Sequence, residues 1–432
     1  MKRVALLAYY FPPIGGGGTQ RPLTLAKRLP EFGWEPVVVT GPASAGDRWS
    51  PRDAGLADGA REVEVVRVAG PEPLRGNGRS ERWLRRPSAW SRWWTERAAH
   101  ALQQLSDIDV VLATLSPFQS AQAAARAAMH LGKPWVADLR DPWALDEMLA
   151  YPTRLHRRAE LRAMSRDLSS AAAIVMNTAE ARAAMADAFP RLRPQLSAPV
   201  PNGFEPGDFA VAPAPRSDSA FRIVHTGYLH TDLGRRGARA ALRTLAGGTL
   251  NGVDIGSRSH LYLVQAIDRL REIDPELGSR IELCLAGVLT DLDIATTDRP
   301  YIKRLGFVSH DDSVALLRSA DALFLPMHDL REGRRARIVP GKTYEYLAAG
   351  RPILAAVPDG DARDLLLRAG NAAVCRPRDV DGLVDALRQL AAGARPAAAR
   401  QDVIAPFQRR ALTARMAEIL DAVADQRTAA AA

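Results

Sequence analysis

Cysteine is almost missing from this chain: Cys284 and Cys375 are the only two among 432 residues. Two thiols build neither a disulfide framework nor a cysteine-based zinc site, which suits a reducing compartment. Long apolar runs are lacking too. The opening MKRVALLAYYF stops at Pro12-Pro13, too short for a signal peptide or a span, and nothing elsewhere reaches the roughly 18 apolar residues that cross a bilayer. The chain is expected in the cytoplasm, with a peripheral place on the inner face of a membrane as the variant. There is no His, Asp and Glu cluster at metal-ligand spacing, so no metal site is expected. The glycine run near the start does not fit G-x-G-x-x-G with an acidic residue about 20 positions on, which disfavours a nicotinamide cofactor. No helix-turn-helix, zinc or RNP-type pattern accompanies the positive charge, so nucleic acid is not an expected partner. No repeat recurs at a period of about 20–50 residues.

What is present is an ordinary globular balance, 47% hydrophobic and 25% charged, long enough for two or three domains. Lys and Arg exceed Asp and Glu by 58 to 49, giving a net charge of +9. That surplus favours anionic partners such as phosphorylated metabolites or acidic lipid, and an Arg-rich composition bias accounts for it equally well.

Short Val, Ile and Leu runs alternate with Ala/Leu/Arg segments of helical period, the pattern of parallel strands covered by helices on both faces. The fold class is α/β. Strands are expected at Val4–Ala8, Pro36–Thr40, Val63–Val68, Val110–Thr114, Trp135–Leu139 and Ile174–Asn177. Five prolines between Ser197 and Ser219 break the pattern, and it restarts with strands at Phe221–Thr226, Ile281–Ala286, Ile302–Leu305, Ala322–Pro326, Ile353–Ala356 and Ala373–Cys375. The expected organisation is a Rossmann-like domain over 1–200, a linker over 201–219 and a second Rossmann-like domain over 220–405. A helix over 406–432 returns to the first domain and then frays after Asp425. Two doubly wound units would bind ligands at the carboxyl ends of their strands, in a central cleft. The Gly-rich stretch Gly247–Gly256 reads as a loop.

Two loops carry candidate chemistry. After the first strand, Pro12-Pro13-Ile14-Gly15-Gly16-Gly17-Gly18 lets backbone N–H groups approach an anion, or simply makes a tight turn. In the second half, Pro340-Gly341 opens a helix that Gly350 and Pro352 stop, with Tyr344, Leu347 and Ala348 as its buried stripe. Its free amino end and Lys342 together suit a diphosphate, and Glu345, one turn on, suits the hydroxyls of a ribose. The alternative is that Glu345 complements the helix dipole while Lys342 is solvated. Asp138, Arg140 and Asp141 follow a strand of the first domain and either orient an acceptor hydroxyl or close into an ion pair that fixes the loop. His225 and His230 flank the first loop of the second domain.

The run PGKTYEYLAAGRPIL, with PNGFEPGDF at Pro201–Phe209, the opening Tyr9–Gly18, Ser116-Pro117 and the segment Asp138–Trp143 (DLRDPW), resembles the retaining nucleotide-sugar glycosyltransferases of family 4, in a bacterial subgroup of that GT-B architecture. The resemblance implies a nucleoside-diphosphate sugar as co-substrate, with no other cofactor, and an acceptor that is lipid-linked or a small-molecule glycoside. It gives Glu345 the ribose, Gly341 and Thr343 a place beside the donor, and Phe307 and Val308 the base. Gly15, Gly16 and Gly17 become donor contacts, Asp138 and Arg140 acceptor contacts, and Lys342, Arg235, Arg236 and Asp141 the catalytic set. The paired-glutamate motif of that family has its first glutamate eight positions before the second; here that position is Arg337, with Glu332 or a nearby backbone amide as a substitute. The expected activity is transfer of a hexosyl or related sugar, independent of metal, in polysaccharide, glycolipid or natural-product assembly. A sugar-nucleotide epimerase of the same fold and a non-catalytic partner subunit are the alternatives.

Arg79–Arg97 holds six Arg and four of the eight Trp. Interleaved indole and guanidinium groups suit the headgroup zone of an anionic membrane, or Trp90, Trp93 and Trp94 pack onto the first sheet with Arg on the wet face.

Overall fold

A computed structural model describes residues 1–43, 51–74, 83–210, 216–234, 246–248, 252–394 and 396–431. Two six-stranded parallel sheets with helices on both faces make two Rossmann-like units, the arrangement that the alternating pattern implies. The first contains Met1–Asp146, Tyr151–Asn202 and Arg409–Ala432; the second contains Glu147–Ala150 and Gly203–Gln408.

In the first unit, β1 (Lys2–Ala8), β2 (Trp34–Thr40), β3 (Glu64–Arg67), β4 (Val110–Leu115), β5 (Trp135–Leu139) and β6 (Ala173–Met176) lie in the order β3-β2-β1-β4-β5-β6. The strands read as unbroken apolar runs because both faces are covered. Along β1 the side chains divide by alternation: Ala5 and Leu7 join one core with Val39, Val111 and Trp94, while Val4 and Leu6 join another with Val38, Val110 and Trp34. The helix Arg409–Ala431 closes that second core with Leu412, Met416 and Leu420. It runs on past Asp425 to Ala431 where fraying was expected, alanine being the strongest helix former.

In the second unit, β7 (Phe221–Thr226), β9 (Ile281–Ala286), β10 (Ile302–Gly306), β11 (Ala322–Pro326), β13 (Ile353–Ala356) and β14 (Ala372–Cys375) take the order β10-β9-β7-β11-β13-β14. A two-stranded ribbon, β8 (Val253–Asp254) with β12 (Asp329–Leu330), lies apart from it. Because successive strands run outward from β7 on one side and from β11 on the other, the order reverses between these two. Such a reversal opens a crevice at the carboxyl ends of its strands.

The tryptophan-rich helix is Ala89–Gln103, started by Ser88, whose Oγ accepts from the Ser91 N–H at 2.9 Å. Trp94 is wholly buried, its ring edge-on to Tyr9 at 4.7 Å and its Nε1 donating to Ser120 Oγ at 3.0 Å. Trp90 is buried too, and Trp93 is half-buried. The headgroup role expected of these indoles is therefore corrected for Trp90 and Trp94, which belong to the core. Replacing Trp94 with Ala removes a fully enclosed indole and is expected to cost about 3–5 kcal/mol. Urea unfolding followed by circular dichroism should show the earlier transition.

Candidate functional site

The second unit gathers its polar groups at the reversal point. His225 is the last residue but one of β7, and its Nδ1 must donate to the Phe324 carbonyl of β11, 3.0 Å away, because a carbonyl only accepts. Nε2 is left with its lone pair, and Lys342 Nζ donates to it at 3.2 Å and to the Thr226 carbonyl at 2.5 Å. Burial first, then the Lys342 charge, push the imidazole well below its ordinary value, so His225 is a neutral acceptor. Its role here is to hold the lysine.

Lys342 opens the helix Lys342–Ala348. Burial, followed by the Arg258 charge, lowers its ammonium to about 7, with Glu345 pulling the other way. Room for that ammonium depends on Gly227, which has φ +99°; a Cβ there would stand 3.0 Å from Lys342 Nζ. Gly287 passes so close behind that its Cβ would meet the Gly227 carbonyl at 2.5 Å. Tyr346, from the same helix, is buried and its hydroxyl accepts from the Thr226 N–H at 3.0 Å. The helix is thus fastened to the end of β7 at two points.

Arg258 is the cation that the sequence reading missed. It follows Gly256-Ser257 just before the helix Leu261–Ile273, and the His230 N–H donates to its carbonyl at 3.0 Å. Its guanidinium donates from Nη1 to Met148 Sδ at 3.6 Å. The signal was there in part: an arginine between two serines at the start of a helix, beyond a long insert. Arg235 and Arg236, expected in this role, lie outside the described residues.

Other expectations for this unit change. Thr343 is fully buried, and its N–H donates to the Pro340 carbonyl at 2.9 Å, so it is withdrawn as a donor contact. The Tyr344 N–H donates to the Gly341 carbonyl at 3.2 Å, which leaves the seven-residue helix a smaller array of open N–H groups than expected. Gly341 itself is exposed, and Glu345 is half-buried. Phe307, 47% exposed, and Val308 sit just beyond β10. The amide of Arg337 is no substitute for a glutamate, because it donates to Glu147 Oε1 at 3.0 Å. That same oxygen faces His328 Nε2 at 3.0 Å, with both side chains buried. Burial pushes the Glu147 carboxyl up, but the bond to His328 and the Arg337 amide hold it below the usual range. Glu332 is exposed in the loop beyond β12.

In the first unit, Asp138 is corrected. It is fully buried, and each oxygen accepts from Arg21, Nε to Oδ2 at 2.8 Å and Nη2 to Oδ1 at 2.6 Å, so it sits in the interior as an ion pair and is not exposed to an acceptor. Arg140 instead reaches the glycine loop, Nη1 donating to the Gly17 carbonyl at 3.2 Å, and Asp141 is exposed beside it. In that loop Gly15 is also corrected: it is buried, and its N–H donates to the Pro51 carbonyl at 2.7 Å. Gly16 is half-buried and Gly17 is exposed.

Among the described residues no group of three His, Cys, Asp or Glu is placed to hold a metal ion, and no helix is long and apolar enough to cross a membrane.

Residues 16–203 match the family described as "Glycosyl transferase 4-like domain", and residues 253–392 match "Glycosyl transferases group 1". No curated protein matches the chain. Among solved structures, HepE from Anabaena in complex with UDP and glucose is 14% identical, covers 98% of this chain and 100% of its own, and superposes with a TM-score of 0.60. The α,α-trehalose 6-phosphate synthase of Burkholderia multivorans is also 14% identical, with 100% and 99% covered and a TM-score of 0.60. A UDP-N-acetylglucosamine 2-epimerase from Listeria monocytogenes is 13% identical over 96% of this chain and 95% of its own, with a TM-score of 0.54. With two glycosyltransferase families matched in succession along a pair of Rossmann-like units, the chain belongs to the glycosyltransferases of GT-B architecture.

Proposed function

We propose that the protein transfers a sugar from a nucleoside-diphosphate donor to an acceptor hydroxyl with retention of configuration, independently of metal, in the assembly of a polysaccharide, glycolipid or natural product. The observation that carries this reading is the convergence of Lys342 and Arg258 beside Gly227, at the strand-order reversal of the second unit, with Glu345 one turn along the same helix. An anion that meets both cations offsets the repulsion that the Arg258 charge exerts on Lys342, beyond what Glu345 already supplies. A diphosphate does so, and Glu345 then accepts the hydroxyls of the adjoining ribose. The UDP and glucose held by the Anabaena relative support a donor of that class.

Chemically, the bond from the anomeric carbon to the phosphate oxygen breaks while the acceptor oxygen bonds to that carbon on the same face. The acceptor proton passes to the departing phosphate. Negative charge grows on the diphosphate as the bond stretches, so cations fixed in advance act more on the transition state than on the bound donor. His225 and Thr226 fix Lys342 for this purpose.

The epimerase reading is favoured by the Listeria likeness. Incubation with a panel of nucleotide sugars, with and without acceptor glycosides, separates the two: free nucleoside diphosphate that needs an acceptor supports transfer, and an epimer formed without one supports the rival.

Two outcomes follow from the site. Glu345→Ala should weaken nucleoside-diphosphate binding by about tenfold or more, since a charged hydrogen bond is worth about 1.5–3 kcal/mol. Arg258→Gln should lower kcat more than it raises KM. Calorimetry and steady-state kinetics measure them, and unchanged affinity in the first removes Glu345 from the ribose. Lys342 gives a pH signature. Its folded value near 7 lies below the ordinary 10.5, so the unfolded chain binds more protons across that interval. The unliganded protein should gain stability relative to Lys342→Met as pH rises from 7 towards 10. Nucleoside-diphosphate affinity should fall over the same rise in the parent and stay flat in the variant.

A further inference from the structure

The first unit has an apolar cluster that its own core leaves uncovered. Trp83, Leu84 and Leu155 are 57%, 60% and 71% exposed. They come from stretches some seventy positions apart, and specific contacts hold those stretches together. The Trp83 ring tilts against that of His156 with centroids 4.8 Å apart, and His156 Nε2 donates to the Trp83 carbonyl at 2.9 Å. Arg85 Nη2 meets Glu160 Oε2 at 3.2 Å. The arrangement is built on the helix Arg154–Leu168, started by Thr153 and seated on the core through Met164 and Leu168.

That helix is rich in positive charge. Arg154, Arg158, Arg162 and Arg166 recur every fourth residue and all are exposed. Arg166 pairs with Asp167, whereas Arg154, Arg158 and Arg162 form no ion pair among the described residues. Arg85 and Arg86 are exposed at the other end of the cluster. Three large apolar side chains standing in water, bordered by guanidinium groups, combine the two attractions that bring a protein to an anionic lipid surface: apolar atoms enter the acyl boundary and cations meet headgroup phosphate.

We infer that this face, formed by Trp83, Leu84 and Leu155 with the Arg154, Arg158 and Arg162 stripe, docks the protein on an anionic bilayer surface. A second copy is the poorer occupant, since a two-fold contact would set the arginine stripe against itself. The membrane contact expected within Arg79–Arg97 thus moves to Trp83 and Leu84 and gains a helix from elsewhere in the unit. This inference does not depend on the donor reading, because lipid binding is measured without nucleotide.

Sedimentation of the full chain with vesicles of phosphatidylcholine, alone or mixed with phosphatidylglycerol, tests it. The parent should pellet with the mixed vesicles and not with the neutral ones, and salt should weaken the binding. Replacing Arg154, Arg158 and Arg162 together with Gln should lower partitioning by about tenfold or more. Replacing Trp83, Leu84 and Leu155 together with Ser should release what persists at high salt. A variant with Arg280, Arg304 and Arg368 changed to Gln, matched in charge but on the second unit, should pellet like the parent, and melting curves confirm that each variant folds. The proposal is overturned if the parent ignores anionic vesicles, if the charge-matched variant falls as far as the stripe variant, or if the serine variant changes self-association and leaves lipid binding intact.

Discussion

An ammonium group enclosed at the end of a parallel sheet organises the second unit. Lys342 is held by one neutral imidazole and one carbonyl, and the Arg258 charge acts against its own. Neither His225 nor Thr226 neutralises it. The glycine at 227 has no side chain because the lysine occupies that space, and the glycine at 287 has none because the 227 backbone does. A chain of steric requirements therefore leads from the sheet to the cation. From the helix itself the Glu345 carboxylate favours the charged form, while burial and the Arg258 charge oppose it.

Each unit holds a buried acid against a basic partner. In the first, Arg21 and Asp138 satisfy each other with two short bonds in the interior, a closed pair that fixes the end of β5. Glu147 and His328 do similar work in the second, holding the approach to Lys342 through the Arg337 amide. Such pairs position a backbone, and burial keeps their carboxylates away from the surface.

Much of the fold was legible because periodicity and burial agree. The strands fall within a residue or two of the bounds that their apolar runs imply. Lys342 and Glu345 were legible as a helix start with a cation and a carboxylate one turn apart. Arg258 was hidden by the long insert that separates it from β7, since distance along the chain says nothing about return in space. The fate of Asp138 was hidden for the same reason: its partner lies 117 positions earlier, and Asp-Arg-Asp reads the same whether or not Arg21 reaches it. Trp90 and Trp94 could not be told from surface indoles by composition, because a helix that packs on a sheet and one that lies on a membrane share the same stripe.

The helix Arg409–Ala431 has a consequence for how the molecule is made. Leu412, Met416 and Leu420 fill the layer beneath Val4, Leu6 and Trp34, so the unit synthesised earlier is left with an open hydrophobic floor until the ribosome has delivered that helix. The second unit, which needs only Glu147–Ala150 from upstream, has all its segments earlier. Order of synthesis and order of completion are therefore reversed, and the nascent chain carries an unfinished apolar surface until that helix emerges.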